Sequence, residues 1–196
     1  MKKYIKDQIK KSYETKQAIY ENEDLLNKIE ELAQKCVDLY RTDKKTILAG
    51  NGGSAADAQH IAAELVGRYG FDRPSIPSLA LTTDTSNLTA IGNDYGYDQV
   101  FSRQLEGMGQ EGDIFIGIST SGNSMNIIKA FASAKKKNIT TVALTGRDGG
   151  EMAKIADIAL IVPSDSTPRI QESHILIGHI ICDIIEKEIF GDGVTS

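Results

Sequence analysis

Two loops in this chain gather glycine, serine and amide residues in a way suited to holding a phosphate. Ile114-Phe-Ile-Gly-Ile118 is a short apolar run, and Ser119-Thr-Ser-Gly-Asn-Ser124 follows it directly. Beyond Ser124, Ile127, Ile128, Ala130 and Phe131 recur at helical spacing. The polar run therefore lies at a strand-to-helix junction. There, backbone N–H groups, the positive end of a helix dipole and several hydroxyls can bind a phosphate dianion without any lysine. Read alone, it is equally a serine-rich capping turn. Gly50-Asn-Gly-Gly-Ser54 follows the strand-like Thr46-Ile-Leu-Ala49 in the same manner. Two such loops in one small domain favour a phosphorylated ligand.

A second group of residues can move protons or hold a metal. Ser54 is placed to cap a helix, with Asp57 three residues on as in a capping box. On that helix His60 and Glu64 are four residues apart and share a face among apolar neighbours. A partly buried carboxylate with a raised pKa is a proton carrier, and the same spacing chelates a metal through imidazole and carboxylate. A plain surface His–Glu pair fits as well. Near the C-terminus, Arg169-Ile-Gln-Glu172 opens a helix after Pro168, and His174 and His179 follow. Gln171 and His179 are separated by a rise of about 12 Å, close to the limit for meeting at one small ligand. Spacing alone leaves His174 and His179 as competing candidates. Asp84 and Asn93-Asp94 read as turn chemistry or as ligand contacts, and Arg68 as a surface cation or an anion clamp. Thr145-Gly-Arg-Asp-Gly-Gly150 reads as a strand-to-helix turn.

The elements that must position these residues follow from periodicity. The 196 residues, 40% hydrophobic and 25% charged, suit one globular domain. Net charge is −5 with no basic block, which argues against nucleic acid or an anionic membrane as partner. The N-terminus is charged from Lys2 onward, and no signal-peptide or membrane-length apolar run appears, pointing to the cytoplasm. Cys36 and Cys182 sit far apart in apolar helical patterns, as buried free thiols do. Residues 1 to about 40 lack Gly and Pro and predict two charged helices. Strands are predicted at 46–49, 78–82, 114–118, 140–144 and 158–162, and helices at 54–68, 85–93, 98–109, 124–137, 150–155 and 169–190. This alternation implies an α/β fold, a parallel sheet covered on both faces. Ligands of such sheets bind beyond the carboxyl ends of the strands, where both polar loops fall.

Taken in order, these segments resemble a sugar isomerase (SIS) domain, and in particular the phosphoheptose isomerases. The resemblance runs from about residue 46 to 189. It rests on Gly-Asn-Gly-Gly-Ser at 50–54, Asp57, His60, Glu64-Leu-x-Gly-Arg-Tyr69, Gly-Asn-Asp-Tyr-Gly at 92–96 and Phe-Ser-Arg at 101–103. Gly-Ile-Ser-Thr-Ser-Gly-Asn-Ser at 117–124, Leu-Thr-Gly-Arg-Asp-Gly-Gly at 144–150, Arg-Ile-Gln-Glu-x-His at 169–174 and His179 complete it. Ala55-Ala56 departs from the larger or polar residues of some relatives.

The resemblance implies a flavodoxin-like αβα sandwich over 45–196, with a helical region at 1–44 packing on the core and on a neighbouring subunit of a homotetramer. It implies conversion of sedoheptulose 7-phosphate into D-glycero-D-manno-heptose 7-phosphate through an enediol, towards nucleotide-activated heptose for lipopolysaccharide or capsule. Glu64 and His179 match the proton-exchanging positions, and His60, Glu64, Gln171 and His179 match the ligands of one zinc ion per subunit. Asn51, Gly52, Gly53, Glu64, Asn93, Asp94, Ser119, Thr120, Ser121, Ser124 and Gln171 match substrate contacts. Two rival readings share the fold. One is a non-catalytic SIS regulator binding the replication initiator, against which the presence of Glu64, Gln171 and His179 counts. The other is a sugar-phosphate-sensing domain of a transcription factor, for whose DNA-binding module these residues leave no room.

Overall fold

The computed structural model describes residues 1–191. Two charged helices come first, α1 (Lys2–Tyr20) and α2 (Glu23–Tyr40). Asn22 separates them because its side chain accepts the Leu25 N–H at 3.1 Å and so caps α2. Strands and helices then alternate: β1 (Thr46–Gly50), α3 (Gly53–Val66), β2 (Ser78–Ala80), α4 (Thr85–Tyr95), α5 (Val100–Met108), β3 (Ile114–Ile118), α6 (Met125–Lys136), β4 (Thr140–Gly146), α7 (Gly150–Ile155), β5 (Ile158–Val162) and α8 (Thr167–Phe190). A single 3₁₀ turn, Tyr97–Gln99, joins α4 to α5.

All five strands are parallel, in the order β2-β1-β3-β4-β5. This is the flavodoxin-like order, whose ligand crevice lies where the chain reverses direction across the sheet, between β1 and β3. Alternate residues along each strand face opposite layers. Leu48, Ile116, Ile118, Val142 and Leu144 pack with α2, α3 and α8, whereas Ile47, Ala49, Phe115 and Ala143 pack with α5 and α6. Both faces are thus covered, giving the αβα sandwich.

Some boundaries differ from the periodic reading. Helix α4 continues through Asn93 and Asp94 to Tyr95, so these two lie in its last turn and not in a free turn. Helix α8 begins at Thr167, with Pro168 in its first turn where its missing N–H costs nothing. Cys36 and Cys182 are free and buried. Arg169 and Glu172, expected to open the C-terminal helix, tie α8 to α1. Arg169 Nη1 donates to the Gln8 carbonyl at 2.6 Å, and Glu172 meets Lys16 at 3.2 Å.

Candidate active site

The crevice between β1 and β3 is framed by the two glycine loops, because Gly50 pairs with Ile118 at the carboxyl ends of these strands. In the first loop the chain turns at Gly52, whose φ of 57° is open to glycine and strained for other residues. Helix α3 starts immediately afterwards, so Gly52, and not Ser54, is its cap. The capping-box expectation therefore fails. Asp57 is instead buried on α3 with an Oδ2 that has no hydrogen-bond partner among the described residues. Burial pushes its pKa up to about 6, against the pull of nearby His60.

In the second loop three serine hydroxyls converge. Ser119 Oγ lies 2.8 Å from Ser124 Oγ and 3.4 Å from Ser121 Oγ. Ser124 occupies the cap position of α6, yet its hydroxyl makes no capping bond and is turned to Ser119. Thr120 is half-buried beside them. The loop is braced from behind by the first turn of α7. Met152 N–H donates to the Gly122 carbonyl at 2.9 Å and Glu151 N–H to Asn123 Oδ1 at 3.0 Å. Gly122 has a φ of 67°, and a side chain there would strike the Gly149 carbonyl. The resulting cradle of hydroxyls at a helix N-terminus suits a phosphate.

Helices α3 and α8 lie side by side in the same direction, pairing Gly53 with Gln171, Ile61 with Gly178 and His60 with His179. Gly178 permits this approach, since a Cβ there would come within 2.6 Å of Ile61 Cδ1. The pairing brings His60, Glu64 and His179 together. His60 Nε2 is 3.0 Å from Glu64 Oε1 and 3.0 Å from His179 Nε2, and one ligand atom from each residue lies within 4.8 Å of the others. One N–H on His60 cannot serve both neighbours fully, whereas a cation between them would. Tetrahedral zinc at about 2.0–2.1 Å from nitrogen sets ligand atoms roughly 3.3 Å apart, so this donor set fits such an ion. Tyr69 lies against His179, with ring centroids 5.6 Å apart.

Gln171 is not part of this group within one chain. Its amide packs against Gly53, so closely that any side chain at 53 would displace it. His174 is fully buried, and its Nε2 meets the Thr145 carbonyl at 2.9 Å, so that nitrogen carries the proton as donor. Burial pushes its pKa down to about 4 despite that hydrogen bond. His174 is a neutral structural residue linking α8 to β4. Asn93 donates to Asp94 at 2.8 Å in an exposed pair, while Tyr97, three residues on, reaches Asn51 Oδ1 at 3.2 Å. Arg68 is exposed beyond α3.

Several residues of this region leave little trace in the local sequence. Asn126 pairs with Asn51 from 75 positions away. Glu186, 1% exposed, accepts the N–H groups of Tyr69, Gly70 and Phe71 and the Arg73 Nε–H. Arg73 in turn donates to the Glu64 carbonyl at 2.8 Å and the Leu65 carbonyl at 2.7 Å, closing the end of α3. The only sequence signal for this clasp is a charged residue in the apolar stripe of α8.

Residues 9–146 match the family model described as the SIS domain. A phosphoheptose isomerase of Sulfurimonas denitrificans is 88% identical over the full length of both chains. That of Aneurinibacillus thermoaerophilus is 62% identical over all of this chain and 99% of its own. The chain belongs to the SIS domain family, among the phosphoheptose isomerases. Solved structures of this family agree. The Neisseria gonorrhoeae phosphoheptose isomerase superposes with a TM-score of 0.89 at 44% identity, covering 95% of this chain and 98% of that one. The Francisella tularensis phosphoheptose isomerase gives 0.91 at 37% identity, over 94% and 97%. A phosphoheptose isomerase is an enzyme, and the regulator reading is set aside.

Proposed function

We propose that the chain interconverts sedoheptulose 7-phosphate and D-glycero-D-manno-heptose 7-phosphate through an enediol, using Glu64 and His179. The observation that carries the residue assignment is the convergence of these two side chains on His60 at 3.0 Å contacts. An aldose–ketose interchange needs a base at carbon, an acid near the carbonyl oxygen and a grip on the remote phosphate. Glu64 moves the proton between C1 and C2, and His179 gives and takes the proton at the oxygen. The serine hydroxyls of Ser119, Ser121 and Ser124 hold the phosphate, with Thr120 alongside. Asn51, Gly52, Gly53, Asn93, Asp94 and Gln171 are assigned to the sugar.

His60, Glu64 and His179, with Gln171, are the residues that would hold one zinc ion per subunit. When bound, zinc would polarise the sugar's adjacent oxygens. Glu64 would be free to act as base only while not tightly bound to such an ion, so its two assigned roles are in tension. We further read the assembly as a homotetramer with active sites at subunit boundaries. Ile5, Ile9 and Tyr13 form an exposed apolar stripe on α1, and α4 buries none of its residues within the chain. Gln171, packed against Gly53 of its own chain, is included in the zinc set on the family match alone. No helix among the described residues is long and apolar enough to cross a membrane, which accords with a cytoplasmic enzyme feeding lipopolysaccharide or capsule synthesis.

The test is to incubate the protein with sedoheptulose 7-phosphate and follow the aldose by NMR. Glu64→Gln keeps the side-chain shape and removes the basic carboxylate, so turnover should vanish while light scattering shows an unchanged assembly. Near-normal turnover in that variant would remove Glu64 as the base, and absence of aldose from the unaltered protein would overturn the substrate.

A further inference from the structure

We propose that Asn126 is a positioning residue that orients Asn51 and thereby joins the two glycine loops into one binding surface. Asn126 stands in the first turn of α6, two residues after Ser124, and is only 4% exposed. Its Nδ2 donates to Asn51 Oδ1 at 2.9 Å, and its Oδ1 accepts from Asn51 Nδ2 at 3.0 Å. The two amides therefore form a closed, reciprocal pair. The Tyr97 hydroxyl adds a third bond by donating to Asn51 Oδ1 at 3.2 Å.

Counting donors and acceptors shows what this does. The Asn51 oxygen is filled twice, and one of its two N–H groups is used by Asn126. What remains for a ligand is one N–H, fixed in direction. Asn51 is thus set as a donor to a sugar or phosphate oxygen. Among the described residues the Asn126 side chain hydrogen-bonds only with Asn51, so its buried amide is satisfied through that residue. Because one amide belongs to the loop after β1 and the other to the helix after β3, the pair couples the two loops. Leucine would fill the space without either bond, and aspartate would keep the acceptor but face the Asn51 oxygen with another oxygen. Only an amide serves both sides.

The inference rests on Asn51 contacting substrate, and the variants separate the two claims. Asn51→Ala, Asn126→Ala, Asn126→Asp and the double alanine variant would be compared by steady-state kinetics on sedoheptulose 7-phosphate and by thermal unfolding. Asn51→Ala and Asn126→Ala should each raise KM roughly tenfold, the scale of one net hydrogen bond. The double variant should be no worse than Asn51→Ala, since Asn126 acts through that residue. Asn126→Asp should stay impaired despite its matching shape. A normal KM in Asn126→Ala or Asn126→Asp beside an impaired Asn51→Ala would overturn the inference alone, as would additive losses in the double variant. A normal KM in Asn51→Ala would overturn the reading of Asn51 and this inference with it.

Discussion

Replacing Glu186 by glutamine should cost the fold about 3–5 kcal/mol although the two side chains have the same shape. The reason lies in what surrounds the carboxylate. Oε2 accepts from Tyr69 N and Arg73 Nε, both at 2.8 Å, and Oε1 accepts from Gly70 N at 2.6 Å and Phe71 N at 3.2 Å. Every neighbour is a donor. Glutamine must turn its NH₂ towards one pair or the other, so two bonds are lost and donors are set against donors. The Arg73 guanidinium is then left buried without its counter-charge. For a chain of this size about 2–4 °C of Tm goes with each kcal/mol, so the midpoint should fall by roughly 10 °C. Urea or thermal unfolding at fixed protein concentration reads this directly. The pH dependence gives a second check. Burial alone raises the carboxyl pKa, but the Tyr69 and Gly70 N–H groups and Arg73 outweigh it and hold it below 4.5. A lowered folded pKa gives stability that is present above the unfolded value and lost as pH falls through the folded one. Glu186→Gln should therefore flatten the acid limb of the stability curve below about pH 4.5. A loss under about 1 kcal/mol with an unchanged acid limb would refute the reasoning, since a pair worth so little belongs to the solvent-exposed class.

Two further outcomes are expected. His179→Asn should lose activity and any zinc at near-normal Tm, whereas His174→Asn should mainly lower Tm; lost turnover in an intact His174→Asn assembly, with His179→Asn active, would reverse the assignment on α8. For Asp57, the folded pKa of about 6 lies above the ordinary 3.8, so its contribution to stability is complete below 3.8 and is lost as pH rises towards 6. Asp57→Asn should then stabilise the protein at pH 7–8 by up to about 3 kcal/mol and flatten this window, and denaturant titrations showing no gain at pH 8 would exclude a buried, uncompensated carboxylate.

Local sequence was sufficient wherever the determining interactions are local. The alternation of apolar strands and amphipathic helices specified the parallel α/β sandwich, because period and turn chemistry act over a few residues. The two loops at 50–54 and 119–124, and the sharing of one face by His60 and Glu64, follow from the same short-range rules. The choice between His174 and His179 did not, since both lie on one regular helix. Only the register of α8 against α3 and β4 buried the first and brought the second to His60. Asn93 and Asp94 carried turn-favouring side chains, yet the helix ran through them, and Asp57 became a buried acid where a capping partner was expected. The Asn51–Asn126 pair and the Arg73–Glu186 clasp join residues 75 and 113 positions apart. Such contacts leave no periodic trace in a single chain. They exist because the sheet order sets β1 beside β3 and because helices α3 and α8 pack in parallel, so tertiary structure alone decided which polar groups would meet.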